Sequence, residues 1–326
     1  MRLIRSYAAT PAAAKGAVVA IGNFDGVHLG HQRLIAKARA IARDAGRALA
    51  VLTFEPHPRS VFQPQAPPFR LTPLRRKVRL LAALGVEQVV AIPFNLAFAA
   101  KPAETFVREV LVDALAAHHV VIGYDFAFGH RRTGDPEMLG RLGRAHGFGV
   151  TVVSPQSDGG EPFAASRVRD FLGQGKVAAA TAELGRYWEI DGHVRHGDAR
   201  GRALGFPTAN VKLAKFLQPA LGIYAVGVGL GRGAELRWHD GVAYLGPRPT
   251  FAGTEVLLEV HLFAFDGDLY GRHLRAALVD FVRPDRTFTD VDALKRQIAA
   301  DCTAARTLLA RHRESDRFFT DNTPTA

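Results

Sequence analysis

The feature that most constrains the fold is a change of pattern near residue 187. Before it, apolar runs rich in β-branched residues alternate with stretches of helical spacing. These runs span residues 17–21, 49–54, 88–92, 120–123 and 150–153. Strands that alternate with helices, and that read as continuous apolar runs, are typical of a parallel sheet covered on both faces. The first half is therefore predicted to be an α/β domain with a parallel sheet.

Between these runs, apolar residues recur at helical spacing in three places. The first pattern begins near Leu34 and stops at Gly46, and the second runs from Leu74 and stops at Gly85. Helices commonly end on glycine. The third pattern, residues 106–115, lies between the third and fourth apolar runs. We expect these segments to cover the sheet.

After residue 187 the pattern changes to short strand-like runs separated by Gly and Pro, such as residues 222–230, 256–265 and 274–282. Such runs predict a small antiparallel β-barrel. The chain then shows one apolar stripe from Val291 to Leu308, which predicts a terminal helix with Cys302 in the core. We therefore predict two domains, 1–186 and 187–326.

Composition narrows the class of partner. The 326 residues include 42 Lys plus Arg and 31 Asp plus Glu, which gives a net charge of +11. Residues 1–186 hold 24 of these cations and 14 of these anions, a difference of +10. An anionic partner is indicated, either nucleic acid, a lipid surface or a phosphorylated small molecule.

The single cysteine excludes an intrachain disulfide and a cysteine zinc cluster, which favours a reducing compartment. No export signal and no run of eighteen apolar residues is found in the sequence. We expect a cytoplasmic protein without a membrane partner.

The first chemical pattern is the segment 22–31, Gly-Asn-Phe-Asp-Gly-Val-His-Leu-Gly-His, between the first strand and the first helix. Ligands bind at the carboxyl ends of strands in open α/β sheets, and helix N-termini favour anions. His28 and His31 are three residues apart on one helical face, so they can contact a polyphosphate together. From the residues alone, helix capping or a zinc pair are the alternatives.

This segment looks like the His-x-Gly-His element of the nucleotidyltransferase superfamily, and its amino-acid sequence resembles that of the bacterial bifunctional riboflavin kinase/FAD synthetases. The resemblance implies a Rossmann-like first domain in which Asn23 and Asp125 are secondary contacts for nucleotide or metal. It also implies that Ser166 and Arg169 hold phosphates of ATP. Ser-x-x-Arg by itself is common on surface helices. Three later segments also resemble this family, namely residues 53–58, 123–129 and 166–169.

Two departures concern adenylyl transfer. This chain has Ala164 and Ala165 where the family usually has hydroxyl side chains, and Ala127 where it usually has an arginine. Each missing charged hydrogen bond would be worth about 1 to 3 kcal/mol. We therefore expect adenylyl transfer weaker than is typical of the family.

The second pattern, in residues 192–210, combines glycines with a Pro-Thr-Ala-Asn sequence. No Gly-x-x-x-x-Gly-Lys-Ser/Thr sequence occurs, which excludes a P-loop kinase. The glycine-rich backbone, including Gly201 and Gly205, can cradle phosphates, and Thr208 and Asn210 offer neutral oxygens that suit Mg²⁺. Read alone, Pro-Thr-Ala-Asn is a turn.

In context, the second pattern resembles the flavokinase element Gly-x-Pro-Thr-Ala-Asn, and other segments follow in the family's order. The resemblance assigns Glu259 as the base that takes a proton from the 5′-hydroxyl of riboflavin. From the residues alone, a carboxylate in an apolar run is by default a structural salt bridge. The segments that follow are 222–226, 248–251, 258–262 and 267–271.

Two further positions bear on the flavin. The family pattern implies that Arg283 lies near the flavin. From the residues alone, an exposed arginine at a strand end fits equally well. Tyr244 occupies a position where the family commonly has Asn, so a larger ring is expected to reshape the flavin edge.

The resemblance implies an enzyme that phosphorylates riboflavin to FMN and then adenylylates FMN to FAD. It implies Mg²⁺ as cofactor, with ATP, riboflavin, FMN and FAD as substrates or products. We expect no nucleic-acid partner and a monomer or weak oligomer. One alternative is a riboflavin kinase with weakened or lost adenylyl transfer. Another is a nucleic-acid-binding flavin sensor, which the basic first half suggests although the usual binding motifs are missing.

Overall fold

The computed structural model describes residues 1–157, 159–196, 201, 205–231, 233–250 and 253–313. These residues form two compact units. The first unit comprises Met1–Pro67 and Thr72–Ala164. The second comprises Pro68–Leu71 and the described residues from Ala165 onward. Within the described ranges, no helix is long and apolar enough to cross a membrane.

The first unit contains a sheet of six parallel strands in the order β1-β4-β3-β2-β5-β6. All five predicted apolar runs are confirmed as strands. Leaving out the short edge strand β1, the order is that of a Rossmann-like sheet. The strands are β1 (Arg2–Ile4), β2 (Val18–Ile21), β3 (Leu49–Glu55), β4 (Gln88–Pro93), β5 (His119–Gly123) and β6 (Gly149–Val153).

Helices connect these strands. The predicted ends of the first two helical patterns are confirmed, since Gly46 and Gly85 follow their helices with φ of 61° and 81°. The helices are α1 (Leu29–Asp44), α2 (Pro58–Phe62), α3 (Leu74–Ala83), α4 (Leu96–Ala99), α5 (Ala103–Phe106) and α6 (Pro136–His146). A π-helical segment, Val107–Ala114, continues α5, and short 3₁₀ turns span Tyr7–Ala9, Ala12–Ala14 and His130–Arg132.

Both faces of the central strands β2 to β5 are buried, which explains why these strands read as continuous apolar runs. Successive residues of a strand point to opposite faces. Val19 of β2 packs in one apolar cluster with Leu111 of the π-helical segment. Its neighbour Val18 packs in another cluster with Ile35 of α1. Both faces of β2 therefore need apolar side chains.

Among the described residues, the second unit is an antiparallel barrel with helices. Its strands lie in the order β7-β12-β9-β10-β11-β8, and the three predicted strand-like runs and the terminal helix are confirmed. The helices are α7 (Ala165–Gly173), α8 (Val177–Leu184) and α9 (Val291–Arg313), and a 3₁₀ turn spans Gly233–Glu235. The strands are β7 (Trp188–His193), β8 (Ala209–Lys212), β9 (Gly222–Leu230), β10 (Arg237–Thr250), β11 (Gly253–Leu262) and β12 (His273–Pro284).

The two edges of this sheet approach each other, so the barrel is nearly closed. The amide of Arg195, just after β7, donates to the carbonyl of Asn210 in β8 at 2.9 Å. Gly192 makes this approach possible, because a Cβ there would lie 2.8 Å from Val211 Cγ1. The edges of the sheet are thus joined at the start of β8.

Two apolar clusters stabilise the second unit. One contains the buried Trp188 and Tyr224 together with Val168 of α7. The other lies beneath α9 and contains Cys302 and Leu309. Cys302 is buried, as predicted. Helices α7 and α8 precede residue 187, and the functional division between residues 186 and 187 stays a prediction.

Candidate functional site

The strand order of the first unit indicates where a ligand would bind along the carboxyl ends of its strands. The chain passes from β2 to β3 and β4 on one side and then to β5 and β6 on the other. In open α/β sheets the ligand crevice lies at the carboxyl ends of the strands where the order reverses. Here those strands are β2 and β5. Asn23 follows β2 and Asp125 follows β5, and both side chains are exposed.

The loop after β2 has an unusual backbone. Phe24 and Val27 have φ of 47° and 46°, which is unfavourable for residues with a Cβ and is found preferentially at functional sites. Asp25 is 2% exposed, and its Oδ1 accepts the amide of Thr72 at 2.9 Å. Thr72 Oγ1 in turn accepts the amide of Gly26 at 2.9 Å. This buried hydrogen-bond network holds the loop in its strained shape.

The two predicted histidines lie together at the start of α1. The ring centroids of His28 and His31 are 3.7 Å apart. His28 is at the N-cap position, but its side chain makes no capping hydrogen bond. Gly30 leaves room for this pair, because a Cβ there would lie 3.2 Å from His28 Cε1. Among the described residues, no group of three His, Cys, Asp or Glu side chains is placed to bind a metal.

A buried lysine that was not predicted from the sequence lies beneath the same loop. Lys77 of α3 is fully buried. Its Nζ donates to the carbonyl of Asn23 at 2.5 Å and to Thr53 Oγ1 at 3.2 Å. Its burial could have been predicted from its spacing, because Lys77 stands three residues after Leu74 and four before Leu81, on the apolar face of the helix. Lys77 therefore supports the loop that carries Asn23.

An aromatic cluster beside the carboxyl ends of β3 and β4 was also missed. Phe94 lies with its ring centroid 5.7 Å from that of Phe54, 5.9 Å from that of Phe62 and 5.8 Å from that of Phe98. Phe62, the last residue of α2, is 59% exposed. An exposed phenylalanine backed by other rings offers a flat apolar surface to a ligand.

Ser166 and Arg169 lie on α7, which belongs to the second unit, whereas the histidine pair belongs to the first. The Ser166 side chain is exposed. Arg169 Nε donates to the carbonyl of Phe69 at 3.0 Å, and the guanidinium lies 5.4 Å from the centroid of the Phe69 ring. The phosphate-binding role of Ser166 and Arg169 stays a prediction.

In the barrel, strand register brings the predicted kinase residues side by side. Asn210 of β8 is directly opposite Glu259 of β11, and Glu259 is directly opposite Tyr244 of β10. Glu259 Oε1 accepts a hydrogen bond from Arg248 Nε at 2.6 Å, and its side chain is 12% exposed. No described residue donates a hydrogen bond to Glu259 Oε2. Among the described residues, Glu259 is thus ion-paired through Oε1 alone.

Asn210 has an unused acceptor. The residue is 7% exposed, and its buried Oδ1 has no hydrogen-bond partner in the part of the chain that the structure describes. A buried amide oxygen left without a partner is costly, unless a ligand supplies one. Neutral amide and hydroxyl oxygens are ligands that Mg²⁺ accepts. The side-chain oxygens of Thr208 and Asn210 therefore fit as ligands of a magnesium ion bound with nucleotide phosphates.

The two candidate phosphate-loop glycines lie close to these residues along the chain. The amide of Phe206 donates to the carbonyl of Gly201 at 2.8 Å. A Cβ on Gly201 would lie 2.4 Å from the carbonyl oxygen of Phe206 and 3.2 Å from Thr208 Oγ1. Gly205 has φ of 91°. The rest of the glycine-rich segment, residues 197–200 and 202–204, lies outside the described residues.

Tyr244 and Arg283 both have partners in the second unit. Tyr244 donates its hydroxyl to Asp285 Oδ2 at 3.1 Å. Burial, assisted by the Asp285 carboxylate, raises the pKa of Tyr244 to about 12, so the hydroxyl is protonated at neutral pH. Arg283 donates to Asp301 of α9 through Nε and Nη2 at 2.8 and 2.7 Å. The flavin contacts predicted for Tyr244 and Arg283 stay predictions.

The first unit is Rossmann-like and carries a histidine pair at the switch point of its sheet, and the second unit is a barrel in which Asn210 lies opposite Glu259. These two units define a two-domain enzyme that transfers phosphorus-containing groups. Residues 10–167 match the family described as FAD synthetase, and residues 184–309 match the family described as riboflavin kinase. The chain belongs to the family of bifunctional riboflavin kinase/FMN adenylyltransferases, as predicted from its motifs.

Relatives match along almost the whole chain. The chain is 41% identical over 307 residues to the bifunctional riboflavin kinase/FMN adenylyltransferase of Escherichia coli K12, covering 94% of this chain and 97% of that protein. The Pseudomonas fluorescens enzyme of the same name is 39% identical, with 95% and 98% covered. A solved structure described as a macrolide-efflux protein from Streptococcus pneumoniae is 31% identical and has a TM-score of 0.81, with 92% and 96% covered.

Proposed function

We propose that this chain makes FMN and then FAD, with the kinase in residues 187–326 and the adenylyltransferase in residues 1–186. In the first reaction, the 5′-hydroxyl of riboflavin takes the γ-phosphoryl group of ATP, and ADP leaves. In the second, the phosphate of FMN attacks the α-phosphorus of another ATP, and pyrophosphate leaves. The observation that carries the proposal is that separate halves of one chain match the two enzyme families.

For the kinase, the pairing of Asn210 with Glu259 supports a common site. Glu259 Oε2 is the oxygen that accepts the proton of the riboflavin 5′-hydroxyl as the oxygen attacks the γ-phosphorus. Arg248 fixes the carboxylate through Oε1 at 2.6 Å. Phosphoryl transfer depends mainly on such positioning and on neutralising phosphate charge.

We propose that Thr208 and Asn210 hold Mg²⁺ together with the phosphates of ATP. When bound, the ion neutralises charge on the transferring phosphoryl group. The unpartnered Oδ1 of Asn210 supports this assignment. Gly201 and Gly205 let backbone N–H groups approach the phosphates without interference from a side chain.

Replacing Gly201 by Ala tests the phosphate cradle. The added Cβ would lie 2.4 Å from the carbonyl oxygen of Phe206, so the backbone before Thr208 must move. We expect riboflavin phosphorylation to fall at least tenfold, with FMN adenylylation unchanged. Initial rates with riboflavin and with FMN as acceptors measure both. Gly173→Ala, also in the second unit, is the control, since Gly173 is not in left-handed backbone and a Cβ there meets nothing within 4 Å; an equal loss of kinase activity in that variant would contradict the assignment.

For the adenylyltransferase, His28 and His31 stabilise negative charge on the phosphates of ATP, and the N-terminus of α1 adds a partial positive charge. Their closeness, with ring centroids 3.7 Å apart, supports a shared ligand. Asn23 and Asp125 flank the same edge of the sheet as nucleotide or metal contacts. Ser166 and Arg169 are proposed as further phosphate contacts on the strength of the family motif.

We propose that Phe62 supplies an apolar face for the flavin ring of FMN. Its exposed ring, backed by Phe94, lies just after β3, one strand away from the loop of the histidine pair. Stacking of aromatic rings contributes about 0.5 to 1.5 kcal/mol beyond the buried area. A tricyclic isoalloxazine gains the most from such a surface.

Phe62→Ala therefore should raise the KM for FMN in adenylyl transfer about tenfold and leave the KM for riboflavin in the kinase reaction unchanged. Phe62→Tyr keeps the ring and should restore most of the affinity. Steady-state titration of each flavin measures the effect. Equal changes in both KM values, or no restoration by Tyr, would contradict the role of this surface.

The experiment that tests the proposal as a whole is a product assay. Purified protein is incubated with Mg²⁺, ATP and either riboflavin or FMN, and the flavins are separated by chromatography. We expect FMN and then FAD from riboflavin, and FAD from added FMN. If FMN accumulates from riboflavin and no FAD forms from either acceptor, the kinase-only alternative is favoured. The alanines at 127, 164 and 165 are the reason for considering that alternative.

A further inference from the structure

A basic turn formed by residues 130–132 is not used by the function proposed above. His130, Arg131 and Arg132 are consecutive, and all three side chains are exposed. Arg131 and Arg132 have φ of 52° and 59°. Left-handed backbone is unfavourable for a residue with a Cβ, and two such residues in succession are rare.

The surrounding residues hold this turn firmly. The amide of His130 donates to the carbonyl of Lys101 at 2.7 Å. Phe128 and Gly134 exchange backbone hydrogen bonds of 3.0 and 2.8 Å across the base of the turn. Gly129 has φ of 74°, and a Cβ there would lie 2.6 Å from Ala103 Cα. The two arginines are therefore presented on a braced scaffold.

The charge of the turn is not neutralised locally. In the regions that the structure describes, neither Arg131 nor Arg132 donates a side-chain hydrogen bond or forms an ion pair. The nearest acidic residue along the chain, Asp135, accepts the amide of Met138 at 2.7 Å as the N-cap of α6. Lys101, which contacts the turn, is already paired with Glu109 at 2.6 Å. Two guanidinium groups thus stand free to bind an anion.

The sheet topology places the turn at the same end of the strands as the histidine pair. The turn follows the carboxyl end of β5, and β5 pairs directly with β2, which leads to the histidine pair. We propose that Arg131 and Arg132 bind the β- and γ-phosphates of ATP and the pyrophosphate that they become. This inference rests on the proposed adenylyl transfer.

The chemistry of the reaction explains why two arginines belong there. As the FMN phosphate oxygen bonds to the α-phosphorus, the bond from that phosphorus to the bridging oxygen of the β-phosphate breaks. Its electron pair moves onto the leaving pyrophosphate, where negative charge accumulates. Guanidinium groups match phosphate oxygens in geometry and stay charged at any relevant pH. They would stabilise this charge more in the transition state than in bound ATP.

The test is the double variant Arg131→Ala/Arg132→Ala in the full chain. We expect kcat/KM for ATP in FMN adenylylation to fall at least fivefold. In the reverse direction, with FAD and inorganic pyrophosphate as probes, the KM for pyrophosphate should rise at least fivefold. Riboflavin phosphorylation by the same preparation should keep its kcat and its KM for ATP. Effects smaller than fivefold in both directions would overturn the inference.

Two controls separate ligand binding from structural effects. Arg131→Gly/Arg132→Gly suits left-handed backbone better, so the melting temperature should hold or rise while adenylylation falls as in the alanine variant. Arg43→Ala/Arg47→Ala removes the same charge from exposed residues at the far end of α1 and should leave adenylylation unchanged.

A glycine variant with full adenylylation activity, or an equal loss in the Arg43/Arg47 control, would overturn the role of the turn while leaving the proposed function intact. Failure of the unmodified chain to form FAD from FMN would overturn both.

Discussion

Replacing Glu259 by Gln should reduce the rate of FMN formation from riboflavin at least a hundredfold. A general base contributes about 10² to 10⁴ to a rate, and the amide that replaces the carboxylate cannot accept the hydroxyl proton. The KM values for riboflavin and ATP should change little, because Gln keeps the size of the side chain. FMN adenylylation should be unaffected. Initial rates with each flavin acceptor measure both effects.

Glu255→Gln is the matched control for this change. Glu255 lies four residues earlier on β11 and pairs with Lys212, so the variant also removes one carboxylate from an ion pair on the same strand. We expect it to keep near-normal kinase activity. If Glu255→Gln lost as much activity as Glu259→Gln, or if Glu259→Gln were active at normal rate, Glu259 would be only the structural partner of Arg248.

Replacing His28 and His31 together by Ala should nearly abolish FAD formation, by at least a hundredfold, while FMN formation stays close to normal. Removing a single donor that stabilises developing charge typically costs about 10² to 10³ in kcat, and this variant removes two. The ring centroids of the pair are 3.7 Å apart, so we expect the single variants to be non-additive. Rates with FMN as acceptor measure the loss.

His118→Ala/His146→Ala provides the control for this variant. These exposed histidines come just before β5 and at the end of α6. They therefore lie at the amino ends of the strands, whereas the histidine pair lies at the carboxyl ends. The control variant should retain adenylylation. Equal losses in both double variants, or a His28/His31 variant that loses both activities equally, would contradict the division of labour.

Much of the fold could be predicted from the sequence because its signals are local. Strands β2 to β5 bury both faces, so each reads as an apolar run. Glycines in left-handed backbone follow the helices at residues 46 and 85. The edge strand β1 is only three residues long and carries too little pattern to be recognised. The histidine pair was found because both residues lie on a single helical turn.

Other parts of the sites depend on contacts between distant residues. Arg248 and Glu259 meet only because β10 and β11 pair in one particular register. Lys77 reaches the carbonyl of Asn23 across 54 positions of the chain. The packing of α7 with the barrel cluster is likewise a tertiary contact. No local spacing encodes these contacts, so sequence patterns could not reveal them.

If the two reactions use separate sites, FMN released by one protein molecule can be adenylylated by another, and a mixing experiment tests this most directly. The His28→Ala/His31→Ala protein and the Glu259→Gln protein are incubated with riboflavin, ATP and Mg²⁺, separately and together. We predict FMN alone from the first, almost no product from the second, and FAD from the mixture. A mixture that forms no FAD, or a single variant that forms FAD from riboflavin at the normal rate, would contradict the claim.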